Sequence, residues 1–488
     1  MLPFAFHSGD ASSCTTVLVG REASTDGSIM VARAVDSFSF MPSLLLMNPA
    51  APGRKYRGSD DPGEAAFEYV FPADAMRYSS APDPDTMRFG CAGFNSAGLA
   101  LSATETIYAN EAVLALDPYE KLGIAERDIA DVILSTAKTA REGAALLGRL
   151  IEAHGAGEGF GVAFADAKEV WYLETGSGHQ WLAQRLPKDQ YFASGNQGRL
   201  KDYDPASPDF MASATVVFWA EANGFYNRKR DGAFNFTRVY ARDDERDETY
   251  SYPRVWQIQK ILTPALRQEV SEAPDFPVFA APAEKISLAD LEAVMRNHYE
   301  AGELSSHDPY TKGLRGDEPF RPVTVFRTQN THILQVRPEL PQAIGRVNWF
   351  ALGMADLSVF VPFYQGLDAF PRAWGIGTDE ADDESAFWKI RKLQTLVMTD
   401  YPALAPIVKD AFAKFEAETR GKCAAFEAKY LKLAAQDPGA AAKLLHDFNF
   451  RVADDALALT ARLTNRVFTL RTRSIEAEVP FKNRSSND

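Results

Sequence analysis

The sequence has few cysteines and lacks the common cofactor-binding motifs. Its 488 residues include only Cys14, Cys91 and Cys423, and such an odd, sparse set excludes a disulfide framework. No Cys-x-x-Cys pair, His-Glu-x-x-His motif or phosphate-cradling glycine loop is present. We therefore expect no metal and no organic cofactor. Unpaired cysteines also favour a reducing compartment, and we expect a cytoplasmic protein.

Positive charge and long apolar runs are scarce as well. The formal net charge is -14, whereas a nucleic-acid binder normally carries a basic surface, so no nucleic-acid partner is expected. No apolar run is long enough to span a bilayer. The first thirteen residues lack the basic region and the apolar core of a signal peptide. With 46% hydrophobic residues, the chain can bury a large core, and we expect it to form a homo-oligomer.

The most informative residue present is Cys14, which stands directly before the apolar run Thr15 to Gly20. From its position alone, an ordinary buried thiol is the simpler interpretation. Cleavage after Ser13 would instead leave a residue that carries both a thiol and an α-amino group. An α-amino group has an ordinary pKa near 8 and can act as the base that activates the thiol. We therefore interpret residues 1–13 as a propeptide.

Arg33 and Asp36 are the charged residues expected nearest to Cys14. The turn-forming segment 23–28 and the apolar residues that follow predict a hairpin that folds both side chains back toward the cysteine. A guanidinium stabilises a thiolate, and a carboxylate can orient an ammonium group. A surface ion pair at a strand end is the alternative.

The rest of the chain divides into a β-rich part and a helical part. Short apolar strands separated by turns over residues 161–183 predict an antiparallel meander, which argues against an alternating βαβ sheet. Three- and four-residue apolar spacing predicts a helix over residues 126–154. From residue 380 onward, the composition predicts long helices with breaks near Pro402 and Pro438.

Several ordered sequence blocks together resemble the dipeptidase A family of cysteine-type N-terminal nucleophile hydrolases, which is related to penicillin V acylases, bile salt hydrolases and secernins. The first block contains Cys14, Arg33 and Asp36, and the resemblance covers about residues 14 to 370. The later blocks are Gly93–Thr106, Ala137–Glu142, Trp171–His179, Gly195–Gln197, Tyr252–Trp256 and Asn297–Glu300.

This resemblance implies an α+β fold, a four-layer αββα sandwich of two antiparallel sheets, in residues 14–379. A helical C-terminal region over residues 380–488 would pack on the same domain. The implied activity is hydrolysis of dipeptides by Cys14 after autocatalytic removal of residues 1–13, with small peptides as partners. Arg33 and Asp36 match the pair beside the nucleophile in the related acylases.

The resemblance also implies further site residues. Asn196 matches an asparagine that donates to the oxyanion or positions the substrate, and Arg254 matches a later active-site arginine. Asn95 and Glu105 are candidate substrate-binding residues. The scattered histidines are expected to be structural, as are the thiols of Cys91 and Cys423.

Two departures from related sequences leave alternatives open. Ala34-Val35 replaces the Asn-Glu pair that many dipeptidases of this family carry. Glu105 stands where the acylases have an oxyanion asparagine, and an ionised carboxylate cannot donate a hydrogen bond. The alternatives are an N-acyl amide hydrolase of the penicillin V or bile salt type, and a non-catalytic, secernin-like regulatory protein.

We hypothesise that Glu105 binds the free ammonium of the substrate. Glu105→Gln should then raise KM for dipeptides far more than for N-blocked amides, because only dipeptides carry the charge that the carboxylate would recognise. Steady-state kinetics on both substrate classes check this prediction, and equal effects on the two classes would contradict it.

Overall fold

Strands dominate the first half of the chain and long helices its end. A computed structural model describes residues 14–37, 41–82, 86–311 and 320–478, with the backbone alone for residues 104–105, 272–274 and 476–478. The expected propeptide, residues 1–13, lies outside the described residues. The strands are β1 Thr15–Val19, β2 Ile29–Asp36, β3 Leu46–Asn48, β4 Lys55–Arg57, β5 Glu68–Val70, β6 Tyr78–Pro82, β7 Gly90–Phe94, β8 Ala100–Thr106, β9 Phe160–Ala165, β10 Val170–Thr175, β11 Trp181–Arg185, β12 Tyr191–Ser194, β13 Phe210–Ala212, β14 Phe279–Ala280, β15 Thr328–Val336, β16 Arg346–Leu352 and β17 Val361–Tyr364. The helices are α1 Glu111–Leu114, α2 Glu126–Thr136, α3 Ala140–His154, α4 Val216–Ala222, α5 Arg228–Asp231, α6 Phe236–Tyr240, α7 Glu245–Tyr250, α8 Tyr252–Leu262, α9 Leu288–Arg296, α10 Gln342–Gly345, α11 Ala386–Val397, α12 Tyr401–Ala434 and α13 Pro438–Glu478.

Two antiparallel sheets form the middle of the molecule. The first sheet has seven strands in the order β14-β12-β1-β2-β15-β16-β17, and the second has eight in the order β13-β11-β10-β9-β8-β7-β6-β3. Strands β4 and β5 form a separate two-stranded ribbon. The predicted meander is confirmed, since β9, β10 and β11 pair antiparallel in sequence order.

Alternation along the strands gives each sheet one face toward the other sheet and one face toward helices. In the first sheet, Leu18 and Val31 pack toward the second sheet, where they share a core with Tyr172. Val17 and Ala32 lie on the opposite face, in a core that includes residues of α8 and α9. The outer face of the second sheet packs on α2 and α3. The predicted four-layer αββα sandwich is therefore confirmed.

The first hairpin forms as predicted and places the start of β1 beside the end of β2. Thr16 lies opposite Arg33 in the antiparallel register. At the turn, the Asp26 carboxylate accepts hydrogen bonds from the Ser28 backbone N–H at 3.0 Å and from its hydroxyl at 2.6 Å. Gly27 has a φ of 72°, a conformation that a residue without a Cβ adopts readily.

The sequence predicts one helix over residues 126–154, whereas the structure has two. The prediction is therefore wrong in this respect. Helix α2 ends where Ala137 takes up an extended backbone, with ψ at 143°. Helix α3 begins after Thr139, whose hydroxyl accepts a hydrogen bond from the Glu142 backbone N–H at 3.2 Å. A threonine that can cap a helix therefore interrupts an otherwise continuous apolar pattern.

The C-terminal helices pack against the end of the first sheet and break where the sequence predicts. Helix α12 begins at Tyr401, and α13 begins at Pro438. Side chains from α11, α12 and α13 share one apolar core with Phe350 of β16 and Phe363 of β17. The division of the chain at residue 379 stays a prediction. None of the helices in the described ranges is long and apolar enough to cross a membrane.

The edge strand β17 is held to α13 through one buried amide. Asn449 accepts a hydrogen bond from the Tyr364 backbone N–H at 3.0 Å and donates one to the Pro362 carbonyl at 2.7 Å. An open edge strand exposes unpaired backbone groups that invite association with other chains. The Asn449 amide therefore provides hydrogen-bond partners for two backbone groups of the edge strand, and α13 covers this part of the edge.

Asn449→Ala should destabilise the protein by about 2–4 kcal/mol, since it leaves two buried backbone groups without a partner. Urea unfolding followed by circular dichroism measures the change. Asn465→Ala is the matched control, because Asn465 lies exposed on the same helix. Equal stability of the two variants would contradict the role assigned to Asn449.

Candidate functional site

Cys14 lies at the start of β1 with its sulfur on the face between the two sheets. Its Sγ is fully buried and accepts a hydrogen bond from Arg33 Nη2 at 3.4 Å. The alternation of β1 and β2 explains the contact, because Cys14, Leu18 and Arg33 belong to the same face of the hairpin. A buried guanidinium beside a thiol favours the thiolate, which is the reactive form.

Arg33 also contacts a carboxylate that the sequence reasoning missed. Its Nη2 lies 3.3 Å from Glu126 Oε1, at the first residue of α2. The Glu126 backbone N–H donates to Glu158 Oε1 at 2.9 Å. Burial, and then the nearby Glu126 carboxylate, raise the pKa of Glu158 above its ordinary value. The first residue of α2 thus brings a carboxylate to Arg33, and Glu158 lies next to it through the Glu126 backbone N–H.

Arg254 holds the main chain of the nucleophile from the other face of the sheet. Its Nη1 donates to the Cys14 carbonyl at 2.6 Å and to the Thr15 hydroxyl at 2.9 Å. Its Nη2 donates to the Gly195 carbonyl and, at 2.7 Å, to Asn196 Oδ1. The guanidinium therefore joins the start of β1 to the loop after β12. The structure thus brings the predicted residues Cys14, Asn196 and Arg254 together.

Asn196 occupies a backbone conformation that is uncommon for a residue with a side chain. Its φ is 78°, in the left-handed region that asparagine tolerates better than most residues. Its amide nitrogen donates to the Thr106 carbonyl at 3.0 Å. Together with the bond from Arg254, this contact fixes the orientation of the amide at the end of β8.

Asp36 lies at the end of β2, on the helix-facing side, in contact with a second arginine. Its carboxylate accepts hydrogen bonds from Arg321 and from the Thr328 hydroxyl. Arg321 Nη1 also lies 3.4 Å from the Thr15 hydroxyl. Arg321 was not predicted, because it lies 285 residues from Asp36 along the chain and no local motif marks it.

One tyrosine ring lies among three arginines behind the nucleophile. The guanidinium carbons of Arg254, Arg321 and Arg327 lie 5.2, 5.1 and 5.8 Å from the centre of the Tyr250 ring. The electron-rich face of an aromatic ring attracts cations, so Tyr250 helps to hold these like charges near one another. Tyr250, at the end of α7, was not predicted either.

Asn95, a predicted substrate-binding residue, makes its described hydrogen bonds outside this group. The Asn95 amide donates to the carbonyls of Leu134 and Ala137 at 3.0 and 2.7 Å, and its oxygen accepts from the backbone N–H groups of Ala97 and Leu99. These bonds make Asn95 a turn and helix-end residue, so substrate binding by Asn95 gains no support.

Glu105 stands in β8, where its backbone lies opposite Gly161 of β9. Its side chain lies outside the described residues, so its binding of the substrate ammonium stays a prediction.

Three histidines of the matching blocks and of β15 have hydrogen-bond partners within the fold. His179 bonds to Asp117, His298 to Asp308 and Tyr401, and His332 to Ser102 and Asn330. In the described part of the chain, no group of three or more His, Cys, Asp or Glu side chains is arranged to hold a metal ion. Cys91 and Cys423 are buried, and neither forms a disulfide bond.

Burial raises the pKa of Cys423 to about 11. That thiol is therefore protonated at neutral pH and a poor nucleophile.

Comparison with known proteins finds dipeptidases that are similar to this chain over most of its length. A probable dipeptidase of Salmonella dublin is 51% identical over 363 residues, which cover 74% of this chain and 82% of that protein. A probable dipeptidase of Latilactobacillus sakei is 33% identical, covering 81% of this chain and 83% of its own length. Dipeptidase A of Lactobacillus helveticus is 30% identical, covering 82% and 85%.

The family model for peptidase family C69 matches residues 13–414. This range begins one residue before the buried thiol and contains every strand of both sheets. The chain, with its cysteine at the start of the first strand, therefore belongs to peptidase family C69.

Proposed function

We propose that this protein is a dipeptidase and that Cys14 Sγ is its nucleophile. The observation that carries the proposal is the 3.4 Å contact between Cys14 Sγ and the buried Arg33 guanidinium at the start of β1. The names of the relatives, probable dipeptidase and dipeptidase A, support dipeptides as the substrate class. The natural products of the reaction would be two free amino acids.

Catalysis would begin once residues 1–13 are removed and the Cys14 amine is free. The amine takes the thiol proton, and the thiolate attacks the carbonyl carbon of the peptide bond. The amine then returns the proton to the leaving nitrogen, which departs as the first amino acid. Water hydrolyses the remaining thioester, releases the second amino acid and restores the thiol. Sulfur and nitrogen of one residue thus supply both nucleophile and base.

Asn196 is our candidate for the oxyanion donor. An amide nitrogen carries two N–H groups, and Asn196 directs one of them to the Thr106 carbonyl. The other would donate to the oxyanion, a contact worth about 3 kcal/mol in comparable acyl-transfer sites. Arg254 acts as a positioning residue, because it bonds both the Cys14 carbonyl and Asn196 Oδ1.

Our hypothesis that Asp36 holds the α-ammonium of Cys14 stays a prediction. Its described contacts support a second role, in which Asp36 orients Arg321 toward Thr15. A reducing compartment, such as the cytoplasm, suits a nucleophile whose sulfur must stay out of a disulfide bond. The homo-oligomer also stays a prediction.

Cys14→Ser should lower kcat/KM on dipeptides by about 10³-fold or more, because removing a nucleophile disables the whole reacting unit. A panel of dipeptides, penicillin V and conjugated bile salts measures activity, and intact-mass spectrometry reports the N-terminus. Cys423→Ala is the matched control and should retain activity, since its thiol lies in another part of the core. Fast turnover by protein that still carries residues 1–13 would contradict the mechanism.

The same panel distinguishes the two alternatives. Cleavage of penicillin V or bile salts in preference to dipeptides would identify an acylase. Absence of any cleavage by protein whose N-terminus is Cys14 would favour a secernin-like role.

Arg33→Met should move the acidic limb of the pH–rate profile upward by about one pH unit, because a nearby cation lowers the pKa of a thiol. The thiolate would then form only at higher pH, so activity at low pH falls most. The measurement is kcat/KM on one dipeptide across pH. Arg33→Lys keeps the charge and should restore most of the shift. An acidic limb that is the same in both variants and the wild type would contradict this role.

A further inference from the structure

A small cavity begins one residue beyond Asn196. It has a volume of about 120 Å³ and is bordered by the loop after β12, by α6 and by the segment between α6 and α7. Its lining residues include Gln197, Lys201, Arg238 and Tyr252. Gln197, which lines the cavity, directly follows Asn196 in the chain, so the cavity lies against the loop that carries the proposed oxyanion donor.

The cavity carries excess positive charge in a chain whose net charge is -14. Arg199, Lys201, Arg238 and Arg242 line it, against a single carboxylate, Asp243. Of these cations, Arg242 has carboxylate partners, Asp244 and Asp247.

The other three cations are not neutralised in this way. Within the described part of the chain, no carboxylate oxygen lies within the 4.0 Å ion-pair distance of Arg199, Lys201 or Arg238. Arg199 donates instead to the carbonyls of Ala193 and Pro277, at 3.1 and 2.6 Å. Carbonyl partners carry no compensating charge. Carboxylates act on the three cations beyond ion-pair distance, Glu174 on Arg199, Asp275 and Asp202 on Lys201, and Asp231 on Arg238, so the lining itself keeps an excess of cations.

The surroundings of Lys201 disfavour the charged form of its side chain. Its ammonium donates to the Phe276 carbonyl at 2.7 Å. Burial, and then the neighbouring Arg199 guanidinium, lower the pKa of Lys201 to about 8. A negative group in the cavity would oppose both effects and stabilise the charged form.

Gln197 adds a neutral donor at the same place. The residue is 5% exposed, and neither its side-chain oxygen nor its nitrogen has a hydrogen-bond partner among the described residues. A buried amide without partners costs free energy, so native proteins normally pair such groups. An occupant of the cavity that accepts hydrogen bonds would supply a partner for the amide nitrogen.

We propose that this cavity binds the free C-terminal carboxylate of the peptide substrate, through Lys201, Arg238 and the Gln197 amide. The assignment rests on the proposed function, in which the leaving group of the substrate is an amino acid with a free carboxylate. In a dipeptide, that carboxylate lies one residue beyond the scissile carbonyl. Gln197 likewise lies one residue beyond Asn196, and consecutive Cα atoms are about 3.8 Å apart.

The cavity would therefore limit the length of the peptides that the enzyme cleaves. In a tripeptide bound with the same scissile bond, a neutral peptide group would take the place of the carboxylate. That group brings no charge to balance the cations, and the remaining residue would have to fit within a cavity of about 120 Å³. Cations next to the oxyanion donor thus select substrates whose leaving group is a single amino acid.

The test compares Ala-Ala with its C-terminal amide and with Ala-Ala-Ala on the mature wild-type enzyme. We expect kcat/KM for Ala-Ala to exceed that for the amide and the tripeptide by at least about tenfold, since charge-assisted hydrogen bonds are lost in both. Lys201→Met should bring the acid-to-amide ratio toward one, chiefly by raising KM for the acid. Arg238→Gln should act in the same direction, and its exposed side chain poses little risk to folding.

Lys443→Met on α13 is the matched control, because Lys443 is an exposed lysine that pairs with Asp447 far along the chain. It should leave the ratio unchanged. Cleavage of acid and amide at equal rates by the wild type would overturn the carboxylate site while leaving the dipeptidase intact. A ratio that neither Lys201→Met nor Arg238→Gln alters would overturn it as well.

A binding measurement separates this proposal from the proposed function. The probes are Ala-Ala with its peptide bond reduced to CH₂–NH, which cannot be hydrolysed, and the C-terminal amide of the same compound. Each is titrated into the wild type, and calorimetry measures its affinity. If no peptide is cleaved but the acid still binds at least about tenfold tighter than the amide, the dipeptidase proposal fails and the carboxylate site stands. Equal affinity overturns the carboxylate site.

Discussion

The arrangement of the site depends on one buried arginine. Arg254 donates hydrogen bonds to the Cys14 carbonyl, the Thr15 hydroxyl, the Gly195 carbonyl and Asn196 Oδ1. Placing a cation in the protein interior is costly unless its N–H groups are satisfied, and the guanidinium offers them in a rigid plane. The hydrogen bonds that offset the free-energy cost of burying Arg254 also fix the nucleophile relative to the proposed oxyanion donor. Neither can move without breaking a bond to the same group.

Strand alternation divides the environment of Cys14 into two parts with different tasks. The face between the sheets holds the sulfur, with Arg33 and beyond it Glu126. The opposite face meets α8 and holds the main chain and the Thr15 hydroxyl, through Arg254 and Arg321. Groups that tune the reactivity of the thiol are therefore separate from groups that fix its position. This separation follows from the two-residue period of β1 alone.

Local sequence patterns predicted the candidate nucleophile, Cys14, and the nearest charged residue, Arg33. They did not predict the site residues that lie far from Cys14 along the chain. The apolar run after Cys14 and the turn at Gly27 were sufficient to place Arg33 beside the thiol, since both lie in one hairpin. Arg254 is 240 residues from Cys14, and only family resemblance indicated it. Arg321 has no local pattern, because its role arises from tertiary packing. Asn95 lay in a recognised block, yet its amide serves a turn, since asparagine suits turns as well as binding sites.

The nature of the base can be argued from the one histidine that lies across from Arg33. His332 is opposite Arg33 in the pairing of β2 with β15, so proximity alone would make it a candidate. Burial, and then the Arg33 guanidinium, lower its pKa to about 3, and its ring bonds to Ser102 and Asn330. An imidazole this weak cannot hold a proton at neutral pH, so burial, together with the cation that favours the thiolate, disables the adjacent histidine as a base. The α-amine that removal of residues 1–13 would free on Cys14, with an ordinary pKa near 8, would be matched to the task that His332 cannot perform.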